Sequence, residues 1–156
     1  MRLNVPIRLR WSDFDAYAHV NNAEMFRLLE EARIQAFWVQ DNGDSQTPTA
    51  ILDARPGAEA IGLIARQEIE YLLPIPYMRQ PLDVELWIGR MGGASLEVCY
   101  HVHSPDGISP RLLYTKASTT LVMVDSASGR PLRINDDQRA TWLPYLEEPV
   151  QFSKRG

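Results

Sequence analysis

The sequence predicts an α+β domain in which one antiparallel sheet carries a single long helix on its apolar face. Three observations lead there. Residues 3 to 11 alternate apolar and polar side chains, the period of a half-buried strand. Residues 22 to 39 are apolar on more than one side at helical spacing, so they form a helix covered from several directions. Beyond residue 60 come four β-rich runs, two of the intervals between them carrying glycine-rich turn signals. One strand, one helix and four further strands make one sheet with one helix against it.

In the first run Leu3, Val5, Ile7, Leu9 and Trp11 point one way, and Asn4, Pro6, Arg8 and Arg10 the other. Pro6 lacks an amide donor and therefore predicts an edge position. In the helix, Met25, Leu29, Ala32 and Ala36 fall on one face, with Leu28 and Val39 beside them. Phe26, Ile34, Phe37 and Trp38 cover other directions. Glu24 stands three residues after Asn21, the spacing of a capping box with Asn as cap. Glu30 and Arg33 are at i,i+3 and can pair.

Residues 40 to 60, "DNGDSQTPTAILDARPGAEA" from position 41, break the pattern and form a long loop. Loops near 20 residues are unusual in compact domains, so a short helix or a lid is expected here. In 61 to 72, Leu63, Ala65, Gln67, Ile69 and Tyr71 oppose Ile64, Arg66, Glu68 and Glu70. In 82 to 89, Leu82, Val84, Leu86 and Ile88 oppose Asp83, Glu85 and Trp87. In 95 to 104, Leu96, Val98, Tyr100 and Val102 oppose Glu97, Cys99, His101 and His103. Residues 111 to 124 form a last long strand. "MGGAS" at 91 to 95 and "PDG" at 105 to 107 read as hairpin turns, and "DSASGRP" ends the last strand. A short helix is expected in the C-terminal tail, 136 to 156, over 136 to 147, with Asp136 or Asp137 near its start.

A chain of 156 residues is one domain, 1 to 156, large enough to bury a substantial core. The net charge of -4 supplies no basic footprint for nucleic acid. No apolar run reaches the ~20 residues that span a bilayer, so no membrane partner is expected. Arg2, Arg8 and Arg10 interrupt any secretory h-region. The single cysteine, Cys99, excludes an intrachain disulfide framework and points to the cytoplasm.

The stretch "DFDAYAHVNN" at 13 to 22 lies between strand and helix. A helix N-terminus presents unpaired N–H groups and a partial positive charge, which can hold an oxyanion. A carboxylate just before it can attack a carbonyl or activate water. Asp and Asn are also ordinary turn and cap residues, so spacing alone leaves both readings open.

The stretch "SDFDAYAHVNNAEMFRLLEEAR" resembles the signature of the hotdog-fold thioesterases of the 4-hydroxybenzoyl-CoA thioesterase type. The resemblance is sharpest over residues 8 to 38, and "TLVMVDSASGRP" resembles the family's last strand. It implies a five-stranded antiparallel sheet wrapped around one long central helix. It implies that Asp15 is the catalytic carboxylate and that the backbone N–H of Asn22 is the oxyanion donor. The stretch also resembles the plant acyl-ACP thioesterases, whose Asp, Asn and His positions match Asp15, Tyr17 and His19. Tyr17 thus replaces an Asn, and Ala18 replaces a Gly found in many relatives. The expected activity is hydrolysis of an acyl or aroyl thioester of CoA, or of ACP, with catalytic residues Asp15, His19 and Asn22 and no cofactor. The expected assembly is a homodimer with sheets joined edge to edge, or a dimer of dimers giving a homotetramer, with active sites at the dimer interface. The alternatives are a hotdog domain that binds acyl-CoA without turnover and, last, a hydratase or dehydratase.

Asp13 reads as structural. Cys99, His101 and His103 share one strand face, which offers metal ligands, but no fourth is visible, and no metal is expected. Arg66, Arg79, Arg90, Arg111 and Lys116 are candidates for the phosphates of CoA. Nothing singles out one of them, so the substrate-binding residues stay unassigned.

Overall fold

A computed structural model describes residues 1–39, 47–52 and 57–154. Five strands form one antiparallel sheet: β1 (Leu3–Ile7), β2 (Ala60–Tyr71), β3 (Leu82–Met91), β4 (Ser95–His103) and β5 (Leu113–Asp125). Their order across the sheet is β1-β3-β4-β5-β2, so β1 and β2 are the two edges. Pro6 sits on edge strand β1 as its missing amide requires. The helix α1 (Glu24–Phe37) lies on one face of the sheet. The sheet and central helix expected from the sequence are thus the observed architecture.

The alternation in the sequence sorts the faces. Val84, Leu86 and Ile88 of β3 and Val98, Tyr100 and Val102 of β4 join Met25, Leu28, Leu29, Ala32 and Ala36 of α1 in one buried cluster. Arg33 is also buried on this helix. Its Nη1 donates to the Tyr100 hydroxyl at 3.1 Å and its Nη2 lies 3.8 Å from Glu30, the expected i,i+3 partner.

Four expectations change. The first strand ends at Ile7, because the chain turns through a short 3-10 segment at Trp11–Asp13. Leu9 remains buried, but Trp11 is turned out and 77% exposed. The helix is shorter than 22 to 39 at both ends. The capping box at Asn21 does not form: the Asn21 side chain accepts from Ala23 N–H at 2.9 Å, closing a tighter turn before the helix. In β2 both faces are largely open, with Leu63 50% and Ile64 44% exposed, because the central helix packs toward the opposite edge, on β1 and β3.

The turns are as read. Gly92 N–H bonds the Ser95 carbonyl in the β3–β4 hairpin, and Gly107 and Gly129 adopt positive φ in the two other turns. Of the long loop, residues 40–46 and 53–56 lie outside the described residues, and with them the lid or short helix expected there. The described piece packs on the end of α1, where Leu52 N–H bonds the Phe37 carbonyl.

The tail begins with α2 (Asp136–Trp142), capped by Asn135, which accepts from Gln138 N–H at 2.8 Å. Trp142 is fully buried against Phe37 and donates to the Thr49 carbonyl. The chain then crosses the outer face of the sheet as a strap. Glu147 N–H bonds the Ile88 carbonyl, Trp87 Nε1 bonds the Glu148 carbonyl, and Ser153 reaches Glu70. Trp87, Cys99 and Val150 form a second small core beneath it. Gly89 permits this crossing, since a Cβ there would sit 2.7 Å from Cys99 Sγ and 3.1 Å from Pro149 Cα.

Candidate active site

The loop before α1 is a small, tightly tied turn. Phe14 and Val20 bridge across it, Asp15 N–H bonds the His19 carbonyl at 2.9 Å, and Ala18 N–H bonds the Asp15 carbonyl at 3.2 Å. Closing so short a turn takes a left-handed residue, and Ala18 supplies it at φ 59°. The relatives' Gly position is therefore a left-handed position here, held by an alanine at some steric cost.

The two acids of the loop are separated in role. Asp13 is fully buried; its carboxylate accepts from the Arg10 backbone N–H at 2.7 Å and from the Arg10 guanidinium at 3.0 Å. Asp13 braces the 3-10 turn, the structural reading made of it. Asp15 is half-buried. Its Oδ1 accepts from the backbone N–H groups of Tyr17 at 2.8 Å and His19 at 3.3 Å. Its Oδ2 has no donor among the described residues.

The Met25 N–H bonds the Asn21 carbonyl at 3.2 Å, closing the turn that leads into α1, whose N-cap is Ala23. The Asn22 amide lies just ahead of that cap, next to the unpaired N–H groups of the helix N-terminus, and it has no acceptor among the described residues. The Asn22 carbonyl, in contrast, accepts the Tyr71 hydroxyl at 2.6 Å. Burial raises the Tyr71 pKa above that of an ordinary tyrosine, so its proton stays in place for this bond.

Asp15, His19 and Asn22 line one cleft of about 450 Å³. The other wall is the segment after β2, from Leu72 to Ile75, with Met25 and Thr115 at the base. That segment is docked on the loop by Val20 N–H to the Ile75 carbonyl at 3.0 Å and by a bridge between His19 and Pro76. The His19 ring is exposed and has no hydrogen-bond partner among the described residues; only its backbone touches Asp15. Tyr17 is turned out and exposed, and lies outside the lining. The reading of the sequence missed Tyr71 and the apolar wall. The signal was present in "YLLPIPY", an apolar run whose two prolines cannot continue a central strand.

Four of the five cations weighed for CoA phosphates already have partners. Arg111 is 2.8 Å from Asp83, Arg90 3.7 Å from Glu97, Arg66 3.5 Å from Glu68, and Lys116 donates to the Gln151 carbonyl. Arg79 is exposed without a partner among the described residues, and it follows the cleft-lining segment.

Cys99 is not part of this site. It is fully buried beneath the strap, where its sulfur meets Val150 N–H and Glu97, and burial pushes its thiol up to about 12. It is inert as a nucleophile near neutral pH. The chain's own tail covers the part of this face around Cys99 and Trp87, while His101 on the same face stays partly exposed. No helix among the described residues is long and apolar enough to cross a membrane.

Residues 9–142 match the thioesterase-like superfamily. A candidate thioesterase of solved structure from Pseudomonas aeruginosa is similar, at 31% identity over 88% of this chain and 95% of its own, with a TM-score of 0.67. A second protein, from Pseudomonas aeruginosa strain PAO1, superimposes with a TM-score of 0.76 at 24% identity, covering 95% of this chain and 94% of its own. A candidate acyl-CoA thioesterase from Xanthomonas campestris shares the fold at 23% identity and a TM-score of 0.65, over 85% of this chain and 98% of its own. No curated protein sequence matches.

Proposed function

The chain belongs to the thioesterase-like superfamily, and on that premise we propose that it hydrolyses an acyl-CoA thioester to a free acid and CoA. The observation that carries this reading is the placement of Asp15 and the unpaired Asn22 amide on one cleft at the N-terminus of α1. The thioester carbonyl carbon is attacked either by Asp15 Oδ2 or by a water that Asp15 deprotonates. Negative charge then gathers on the carbonyl oxygen, where the Asn22 N–H and the helix dipole stabilise it. Collapse of that adduct breaks the C–S bond, and the thiolate leaves and takes up a proton. If Asp15 is the nucleophile, water hydrolyses the resulting mixed anhydride and restores the carboxylate. His19, exposed at the rim, contacts the acyl or thioester group.

The wall of Leu72, Leu73 and Ile75 with Met25 suits an apolar acyl group, and Arg79 suits the CoA phosphates. The cleft is open on one side, which fits a site completed by a second subunit. Edge strand β2 is 12 residues long and exposes Ile61, Leu63 and Ile64, a surface that favours pairing with another sheet. The reading therefore includes a homodimer joined along β2, alone or as a dimer of dimers.

The test is thiol release from a panel of short, long and aromatic acyl-CoAs and an acyl-ACP, by wild type and Asp15→Asn. Asn retains an Oδ1 acceptor for Tyr17 and His19, so the loop keeps its turn. Turnover that collapses in a folded Asp15→Asn protein supports the assignment. Equal rates in the two proteins would remove Asp15 from the chemistry.

A further inference from the structure

On the opposite face of the sheet, the β3–β4 register places Glu85 directly across from His101. His103 follows two residues later on the same face. Glu85 Oε1 lies 3.8 Å from His101 Nδ1 and 3.8 Å from His103 Nε2, and one ligand atom from each of the three falls within 4.8 Å of the others. His103 is 9% exposed, and neither of its ring nitrogens has a hydrogen-bond partner among the described residues. The Leu112 backbone approaches this ring without completing hydrogen-bond geometry. A buried imidazole with both nitrogens unsatisfied is costly unless something fills that position.

We propose that Glu85, His101 and His103 form a binding site for a transition-metal dication of the zinc class, separate from the catalytic cleft. Two imidazole nitrogens and one carboxylate oxygen are a borderline-soft donor set suited to Zn²⁺. With metal–ligand bonds of about 2.0–2.2 Å, a tetrahedral site spaces its ligand atoms by about 3.3–3.5 Å. The two carboxylate–imidazole separations of 3.8 Å need a small contraction to reach that spacing, and the two imidazoles, within 4.8 Å of each other, a larger side-chain rotation. The fourth position is left to water.

The surroundings support the ligands. Arg2 Nη1 donates to Glu85 Oε1 at 2.7 Å and fixes the carboxylate, while the Arg2 guanidinium stacks 3.7 Å over the Trp87 ring. The His101 ring packs edge-on against Trp87 at 4.8 Å. Arg2, Arg111 and the Met1 ammonium pair with Glu85, Asp83 and Glu147, so the charges around the site balance. Cys99, the third ligand suggested by strand alternation, faces Val150 and Glu97 instead. The carboxylate comes from the neighbouring strand. Bound there, the ion ties β3 to β4 beside the C-terminal strap and stabilises the fold.

The experiment titrates the metal-free full chain with Zn²⁺ alone by calorimetry, with Co²⁺ absorption as a second readout. One Zn²⁺ per chain, a rise in Tm with Zn²⁺, and a Co²⁺ spectrum without a thiolate charge-transfer band are expected. His101→Asn and His103→Asn should each weaken binding by more than about 100-fold, beyond the range seen for outer-sphere changes. Glu85→Gln should weaken it while remaining an acceptor for Arg2. His19→Asn and Cys99→Ser should bind as wild type does. No saturable Zn²⁺ binding by the folded wild type would overturn the proposal. So would binding that survives both His101→Asn and His103→Asn, or that is lost with His19 or Cys99. His101 is the less buried of the two and keeps the test readable if His103→Asn fails to fold.

Discussion

The Tyr71 hydroxyl donates to the Asn22 carbonyl at 2.6 Å, tying the end of edge strand β2 to the residue just ahead of the N-cap of helix α1. The peptide group on one side of Asn22 is thereby held while the N–H on its other side stays free for the cleft. Tyr71→Phe removes this tether and leaves the ring. The bond is partly exposed, so its loss costs about 0.5–1.5 kcal/mol of stability. Turnover of acyl-CoA should fall several-fold with little change in Tm, because an oxyanion donor works only when fixed in place. The alkaline limb carries the same signature. The raised Tyr71 pKa favours the protonated form in the folded state. Its contribution is complete below the ordinary tyrosine value and is lost as pH rises through the raised one. Tyr71→Phe should lack that loss; an identical limb in both proteins would count against the tether.

Asp13 and Asp15 are two residues apart and should fail differently. Asp13 satisfies Arg10 through two charge-assisted bonds inside the fold. Asp13→Ala should cost about 1.5–3 kcal/mol in urea denaturation. Asp15→Asn should leave the denaturation midpoint near that of wild type and abolish turnover. A stable Asp13→Ala protein would show that the 3-10 turn holds without its brace.

Ala18 holds a left-handed conformation that costs an L-residue roughly 1–2 kcal/mol. Ala18→Gly relieves it, offset in part by the greater freedom of glycine in the unfolded chain. The net expectation is a gain of about 0.5–1 kcal/mol, read as a higher Tm, with the catalytic rate unchanged. A lower Tm would mean that the Ala18 methyl makes contacts worth more than the strain.

Gly89 lies where the strap crosses β3. Gly89→Ala forces a methyl toward Cys99 Sγ and the Pro149 backbone, and neither is a flexible side-chain end. Overpacking of this kind costs about 1–3 kcal/mol. The strap should lift, and limited proteolysis should cut the tail beyond Glu147 faster than in wild type. Unchanged proteolysis would place the tolerance in the strap and not in the glycine.

The architecture was legible because it rests on local periodicity. The alternation of Val84, Leu86 and Ile88 against Asp83, Glu85 and Trp87 states which side of β3 faces the helix, whatever else the chain does. The glycine turns state where β3 and β4 reverse. The loop carrying Asp15 is legible for the same reason, since its residues sit within one short stretch beside a helix start. The exposure of Trp11 was not legible, because alternation continues through residues that the chain turns away after Ile7.

By itself the sequence determined the α+β class, the apolar helix, the hairpins and the acid-bearing loop, all of which depend on neighbours a few residues apart. Only the tertiary structure decided what meets across the chain. It laid Leu72 to Ile75 along the cleft, set Tyr71 on Asn22, drew the tail over Cys99, and put Glu85 opposite His101. Those encounters follow from strand register and from the route of the backbone through space. Register is settled by the packing of the whole sheet against its helix, a sum over distant contacts that no local pattern contains.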